Sequence, residues 1–228
     1  MTLFNTKRIA AAGLGLAMAV SSVVANAQEA DRAYEVSITN IMSNNQLTPV
    51  FSTTHNGRGS IFTVGSRARR GLAMIAETGS TAALQDELSG NDNFGTVQTT
   101  PFPGDVPLIF AGNTLEFTIE SGAEYPLLSI ASMILPTNDS FIGLDSVALP
   151  TSGTATYYSV GYDAGTEENN EICTFIPGPT CGGSGEFNDL GNGEGFVHVS
   201  RGIQGVGDLG PIYDWRNPTA KIEITRIR

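Results

Sequence analysis

Short segments in which apolar and polar residues alternate constrain the fold of this chain more than any other feature. Every second residue is apolar in residues 34–39, 115–120 and 220–225. A period of two is that of a β-strand with one face buried. Residues 127–135 are more uniformly apolar and are predicted to form a central strand, while β-propensity predicts a further strand at residues 155–160.

The segments between these strands predict many turns and little helix. The chain has 27 glycine and 11 proline residues, scattered without a repeat. Residues 69–77 and 81–88 have helical composition and are predicted to be short helices in a connection between strands. No change in composition marks a second domain, so we predict one all-β domain over residues 28–228.

The first 27 residues have the pattern of a secretory signal peptide. Lys7 and Arg8 precede an uncharged apolar run over residues 9–24, and residues 25–27 supply the small-x-small cleavage pattern. A membrane anchor is the alternative, but this run is shorter than the roughly 20 residues of a spanning helix. We therefore predict cleavage after Ala27 and a secreted protein without membrane insertion, the periplasm and the cell surface being alternative destinations.

The mature chain is strongly acidic. The whole sequence has 12 Lys and Arg against 23 Asp and Glu, and residues 1–27 contain two of the basic residues and none of the acidic ones. This leaves 10 basic against 23 acidic residues, a net charge of −13. Such a chain repels nucleic acid and anionic membranes and attracts cations. The alternative is that the acidic residues only keep the protein soluble.

Two segments place carboxylates among turn-forming residues, just outside the predicted strands. Asp139 lies in residues 136–146, and Asp163 and Glu167 flank the tripeptide Ala-Gly-Thr, in which Gly165 permits a sharp turn. Carboxylates from separate loops are the ligands that Ca²⁺ requires. The alternative from the residues alone is that both aspartates make Asx-turns, and the two interpretations carry equal weight.

The two cysteines, Cys173 and Cys181, lie in the longest segment without a strand pattern, residues 167–195. In an exported protein, a pair so close in sequence predicts a disulfide. A metal site would need partner ligands, and the ring between the two cysteines contains no histidine.

The glycine-rich acidic residues 185–194 also suggest a second calcium loop, with a flexible solvated loop as the alternative.

The carboxylate segments resemble the spondin domain of F-spondin and mindin. Residues 136–146 read Pro-Thr-Asn-Asp-Ser-Phe-Ile-Gly-Leu-Asp-Ser, where the family has Pro-Ser-Pro-Asp-Trp-Phe-Val-Gly-Val-Asp-Ser. Residues 163–167 read Asp-Ala-Gly-Thr-Glu, where the family has Asp-Ala-Gly-Thr-Asp. Weaker similarity extends over residues 47–56, 62–65, 71–72, 76–79 and 215–227. The resemblance implies an antiparallel β-sandwich, similar to C2 domains, with Ca²⁺ bound by loops at one edge.

The resemblance also implies which residues hold the ion. The matching positions are Asp139, Asp163 and Glu167, while Asp145 is an additional candidate to which we assign a structural role. Ser140 stands where the family has tryptophan, and Glu167 has one methylene more than the family's aspartate. Glutamate is an ordinary Ca²⁺ ligand, so the site is expected to survive with altered geometry.

These features predict a secreted calcium-binding recognition or adhesion module that binds an extracellular protein or glycan. The alternative is a structural subunit that self-associates into a surface fibre or matrix. A secreted hydrolase is disfavoured, since the sequence has neither a Gly-x-Ser-x-Gly nor a His-Glu-x-x-His motif, and we predict no catalytic residues. His198 lies in a strand-like run and is interpreted as a packed or surface residue.

Overall fold

The computed structural model describes residues 31–185, 187 and 192–228 and confirms the predicted all-β class. Two antiparallel sheets form a sandwich, and two short helices join the third strand to the fourth. The strands are β1 Arg32–Asn40, β2 Gln46–Leu47, β3 Val50–His55, β4 Phe94–Thr100, β5 Thr114–Ser121, β6 Leu127–Leu135, β7 Ser140–Ala148, β8 Thr154–Ser159, β9 Gly161–Asp163, β10 His198–Val199 and β11 Ala220–Arg226. The helices are α1 Arg70–Thr78 and α2 Ala82–Leu88.

The smaller sheet has the strand order β5-β1-β11-β8 and contains the three segments with clear alternation. Val36 of β1 lies opposite Ile224 of β11, and Ile38 lies opposite Ile222. All four side chains are fully buried in the main core, while the polar residues between them lie on the other face. The period of two therefore predicted these strands and their buried face.

The larger sheet has the order β10-β9-β7-β6-β3-β4, with β2 also paired to β6. Strand β6 is the predicted central strand, and eight of its nine residues are buried. One face packs on the smaller sheet, and the helices cover part of the other face. Gly71 of α1 permits this packing, because a Cβ there would lie 2.6 Å from the Cα atom of Leu84 in α2.

The structure joins Cys173 to Cys181 by a disulfide, as predicted. Both cysteines pack against the main core and anchor the long segment between β9 and β10. Neither helix in the described residues is long and apolar enough to cross a membrane. The predicted signal peptide lies outside the described residues, so its cleavage stays a prediction.

Replacing both Cys173 and Cys181 by serine should lower the free energy of unfolding by about 2–3 kcal/mol, because the reduced chain regains loop entropy in its unfolded state. For a domain of this size the melting temperature should fall by about 5–10 °C. Calorimetry on the double variant measures this fall. A melting temperature equal to that of the wild type would contradict a stabilising role for the disulfide.

One expectation about the carboxylate segments is wrong. Residues 136–146 were predicted to lie outside the strands, but β7 begins at Ser140 and continues through Asp145. Likewise Asp163 is the last residue of β9 and not part of a loop. Apolar residues 141, 142 and 144 are buried and extend the sheet, which overrides the turn propensity of their neighbours.

Candidate metal centre

The two carboxylate segments meet at one end of the larger sheet. Asp139 immediately precedes β7, and β7 pairs with β9 so that Ser140 lies opposite Asp163. The N–H of Ala164 donates a hydrogen bond to the Asp139 carbonyl oxygen at 3.1 Å. Sheet pairing therefore brings together residues that are 24 positions apart in the sequence.

The carboxylate of Asp139 is fully buried, and its two oxygens differ in their hydrogen bonding. Oδ2 accepts hydrogen bonds from the Thr166 N–H at 2.7 Å, the Thr166 hydroxyl at 3.1 Å and the Glu167 N–H at 3.0 Å. Oδ1 is shielded from solvent and has no hydrogen-bond partner. Gly165, with φ of 67°, turns the chain so that these donors converge, and a Cβ there would lie 2.3 Å from the Phe196 carbonyl oxygen.

Glu167 is the second buried carboxylate with an unsatisfied oxygen. Its side chain is 6% exposed, the Asn138 side chain hydrogen-bonds to it, and its Oε2 has no hydrogen-bond partner. It lies at a cleft of about 180 Å³ lined by polar residues and by Phe175. The cleft gives this otherwise buried group a route to solvent.

Glu77 of α1 is a further buried carboxylate of this centre, and sequence reasoning missed it. It is 1% exposed and is close enough to Glu167 to affect that residue's ionisation. The available signal was a single carboxylate at the end of the apolar run 71–76, on the helix that the sheet buries. Helical periodicity alone could not place it beside a residue 90 positions later.

Three carboxyl groups of this centre, those of Asp139, Asp163 and Glu167, have raised pKa values. Burial, reinforced by the neighbouring Asp163, raises the pKa of Asp139 to about 7 despite the hydrogen bonds that it accepts. Burial, with the charges of Glu77 and Asp139, raises the pKa of Glu167 to about 8. Burial also raises the pKa of Asp163. A bound cation would remove the cost of ionising these groups, and the unpartnered oxygens of Asp139 and Glu167 suit the oxygen preference of Ca²⁺.

Asp163 also belongs to a second group, with Glu194 and His198. Their ligand atoms lie within 4.8 Å of one another, and no other described residues form such a group of three or more. Burial lowers the pKa of His198, but the Val199 carbonyl and the two carboxylates together raise it above its ordinary value. Sequence reasoning missed the role of His198 because its partners come from β9 and from the segment before β10.

Asp145 lies apart from these groups. It is exposed on β7, and its Oδ1 accepts hydrogen bonds from the hydroxyls of Ser60 at 3.2 Å and Ser146 at 3.0 Å. It lies six positions after Asp139 along an extended strand, a span of about 20 Å. This placement favours the structural role that the sequence suggested. Half of the suggested second calcium loop, residues 186 and 188–191, lies outside the described residues.

The family model described as Spondin_N covers residues 31–173 of the chain. This range includes Glu77, Asp139, Asp163 and Glu167, whereas Glu194 and His198 lie beyond it. No match is found among curated proteins.

Proposed function

Because this chain belongs to the Spondin_N family, we propose that it is a secreted recognition module whose site-forming segments are held together by one Ca²⁺. Family membership and the disulfide favour an extracellular protein. The proposed ligands are Asp139, Asp163 and Glu167, with Glu77 as an additional carboxylate. Among the described residues their ligand atoms do not form a group within 4.8 Å, so binding requires these side chains to move towards the ion. Calcium supplies positive charge beside Asp139 and Glu167, whose burial raises their pKa values.

The observation that carries the proposal is the unpartnered Oδ1 of Asp139. A buried oxygen without a hydrogen bond costs stability, so its persistence calls for a ligand or a proton. The three donors on Oδ2 fix the carboxylate in place and leave Oδ1 directed elsewhere. This is how a protein prepares one oxygen of a carboxylate for a cation.

The proposed cation links parts of the chain that are remote in sequence. Asp139 precedes β7, Asp163 ends β9, Glu167 begins the long segment that follows, and Glu77 belongs to α1. A cation bound among them ties that segment to the sheet and relieves the repulsion between its carboxylates. Calcium would therefore order the surface next to the cleft, which we propose as the recognition surface for an extracellular protein or glycan.

A binding role accords with the rest of the molecule better than catalysis does. Spondin_N is not known as an enzyme family. His55 and Ser129 are hydrogen-bonded to each other at 2.8 Å, but both are fully buried and out of reach of a substrate. We propose no nucleic-acid partner, because the mature chain carries a net charge of −13.

Binding to extracellular material should require calcium. The experiment measures retention of the labelled mature protein on glycan arrays and on extracellular matrix, in millimolar calcium and in chelator. Asp139→Asn should bind no better in calcium than the wild type does in chelator. Retention that is equal in calcium and chelator would contradict the proposal.

Sedimentation at rising protein concentration should show a monomer, whereas a fibre subunit would assemble.

A further inference from the structure

The second group of metal-ligand atoms has a geometry that hydrogen bonding does not explain. His198 Nε2 lies 3.5 Å from Asp163 Oδ1 and 3.5 Å from Glu194 Oε2. Nε2 is shielded from solvent and makes no hydrogen bond of normal geometry. The other ring nitrogen, Nδ1, lies 3.0 Å from the Val199 carbonyl oxygen and can only donate to it. In the neutral ring this places the Nε2 lone pair towards two carboxylates.

The remaining atoms of both carboxylates are held by outer partners. The Asn169 amide donates to Asp163 Oδ2 at 2.9 Å and to Glu194 Oε1 at 3.3 Å. Arg201 lies 3.7 Å from the same Glu194 oxygen. Gly165 N–H donates to Asp163 Oδ1 at 2.8 Å and fixes its orientation. Of the oxygens that face His198, Glu194 Oε2 accepts none of these hydrogen bonds, while Asp163 Oδ1 accepts only the one from Gly165 and keeps a second lone pair. Outer hydrogen bonds orient metal ligands in this way.

We propose that Asp163, Glu194 and His198 form a second metal site, which takes a borderline transition-metal cation such as Zn²⁺. Zinc bonds to nitrogen and oxygen of about 2.0–2.1 Å in a tetrahedron separate neighbouring ligand atoms by about 3.4 Å, close to the distances from Nε2. The imidazole nitrogen decides the class of ion, because Ca²⁺ takes oxygen ligands whereas zinc combines imidazole with carboxylate. Three protein ligands leave a fourth position for water or for a group of the partner.

This site does not rest on the proposed calcium site, although both include Asp163. Glu194 and His198 belong only to the zinc group, and Asp139 belongs only to the calcium group. Variants at these positions therefore separate the two proposals.

The test is a Zn²⁺ titration of the full mature protein by calorimetry, in millimolar calcium. We expect one zinc ion per chain. His198→Gln and Glu194→Gln should each weaken zinc affinity at least tenfold, while Glu168→Gln, an exposed carboxylate of the same segment, should leave it unchanged. Asp139→Asn should keep the zinc affinity even though it loses the response to calcium.

Nitrogen-15 NMR of the two imidazoles supplies a second readout that does not depend on a variant folding correctly. Zinc should shift the Nε2 resonance of His198 and leave that of His55 in place. Absence of zinc binding to the wild type, zinc affinity unaltered in both His198→Gln and Glu194→Gln, or a zinc-induced shift at His55 alone would each overturn the proposal.

Discussion

Replacing Asp139 by asparagine should abolish the rise in melting temperature that calcium gives to the wild type. Extracellular calcium modules have dissociation constants of about 10⁻⁴–10⁻³ M. Calcium at ten times that constant raises the free energy of unfolding by about 1.4 kcal/mol. For a domain of this size, the melting temperature rises by about 3–6 °C. At pH 8 without calcium the variant should melt above the wild type, because it no longer buries an ionised carboxylate. Calorimetry with calcium and with chelator measures both effects.

Glu171→Gln is the matched control, since Glu171 is also a buried carboxylate but has its oxygens occupied. Backbone N–H groups of residues 204, 205 and 206 donate to it. The glutamine amide keeps one acceptor oxygen, but its NH₂ group faces backbone N–H groups to which it cannot bond. The free energy of unfolding of this variant should therefore fall by about 1–3 kcal/mol, equally with and without calcium. A calcium response that survives in Asp139→Asn, or disappears in Glu171→Gln alone, would contradict our assignment of the calcium ligand.

The metal-free protein should lose stability as the pH rises from about 4 to about 8. Burial raises the pKa of Asp139 from 3.8 to about 7 and that of Glu167 from 4.5 to about 8. Between these limits the folded protein binds more protons than the unfolded chain, so the free energy of unfolding decreases with pH. The slope for one such group approaches about 1.4 kcal/mol per pH unit at most.

Calcium should remove most of this pH dependence at the upper end, because it replaces the protons on the same carboxylates. The stabilisation by calcium should therefore be small at pH 5 and large at pH 8. Melting temperatures in chelator and in calcium, at half-unit steps of pH, test both trends. In Asp139→Asn the decline in chelator should be shallower. A melting temperature in chelator that stays level or rises between pH 5 and 8 would refute the assignment of raised pKa values.

Local pattern was sufficient to predict the strands of the smaller sheet and the central strand β6. Alternation along β1, β5 and β11 reports burial of one face, and the uniform run of β6 reports burial of both. Both signals depend only on neighbours in the sequence and on the pleat of a strand. The disulfide was equally predictable, because Cys173 and Cys181 are the only cysteines of a chain with a secretory leader pattern.

Prediction was less accurate at the carboxylate segments. Sequence reasoning placed Asp139, Asp163 and Glu167 at one site, and the structure brings Asp139 and Asp163 to neighbouring strands and Glu167 to the turn beyond. Sequence reasoning did not show that β7 begins at Ser140, since turn-forming residues also occur in strands whose apolar neighbours are buried. Sequence reasoning kept Asp145 as an additional candidate ligand while favouring a structural role, and its place about 20 Å along the strand from Asp139 agrees with that role.

The sequence by itself determined the fold class and the disulfide, and it identified the carboxylates of the proposed cation site, because each depends on the local spacing of residues. Only the tertiary structure decided that Glu77 of α1 lies near Glu167 and that His198 faces both Asp163 and Glu194. It also decided that one oxygen of Asp139 is buried without a partner. These relations depend on how the sheets, the helices and the long segment pack, and residues 77, 139, 167 and 198 carry no shared period that could reveal them.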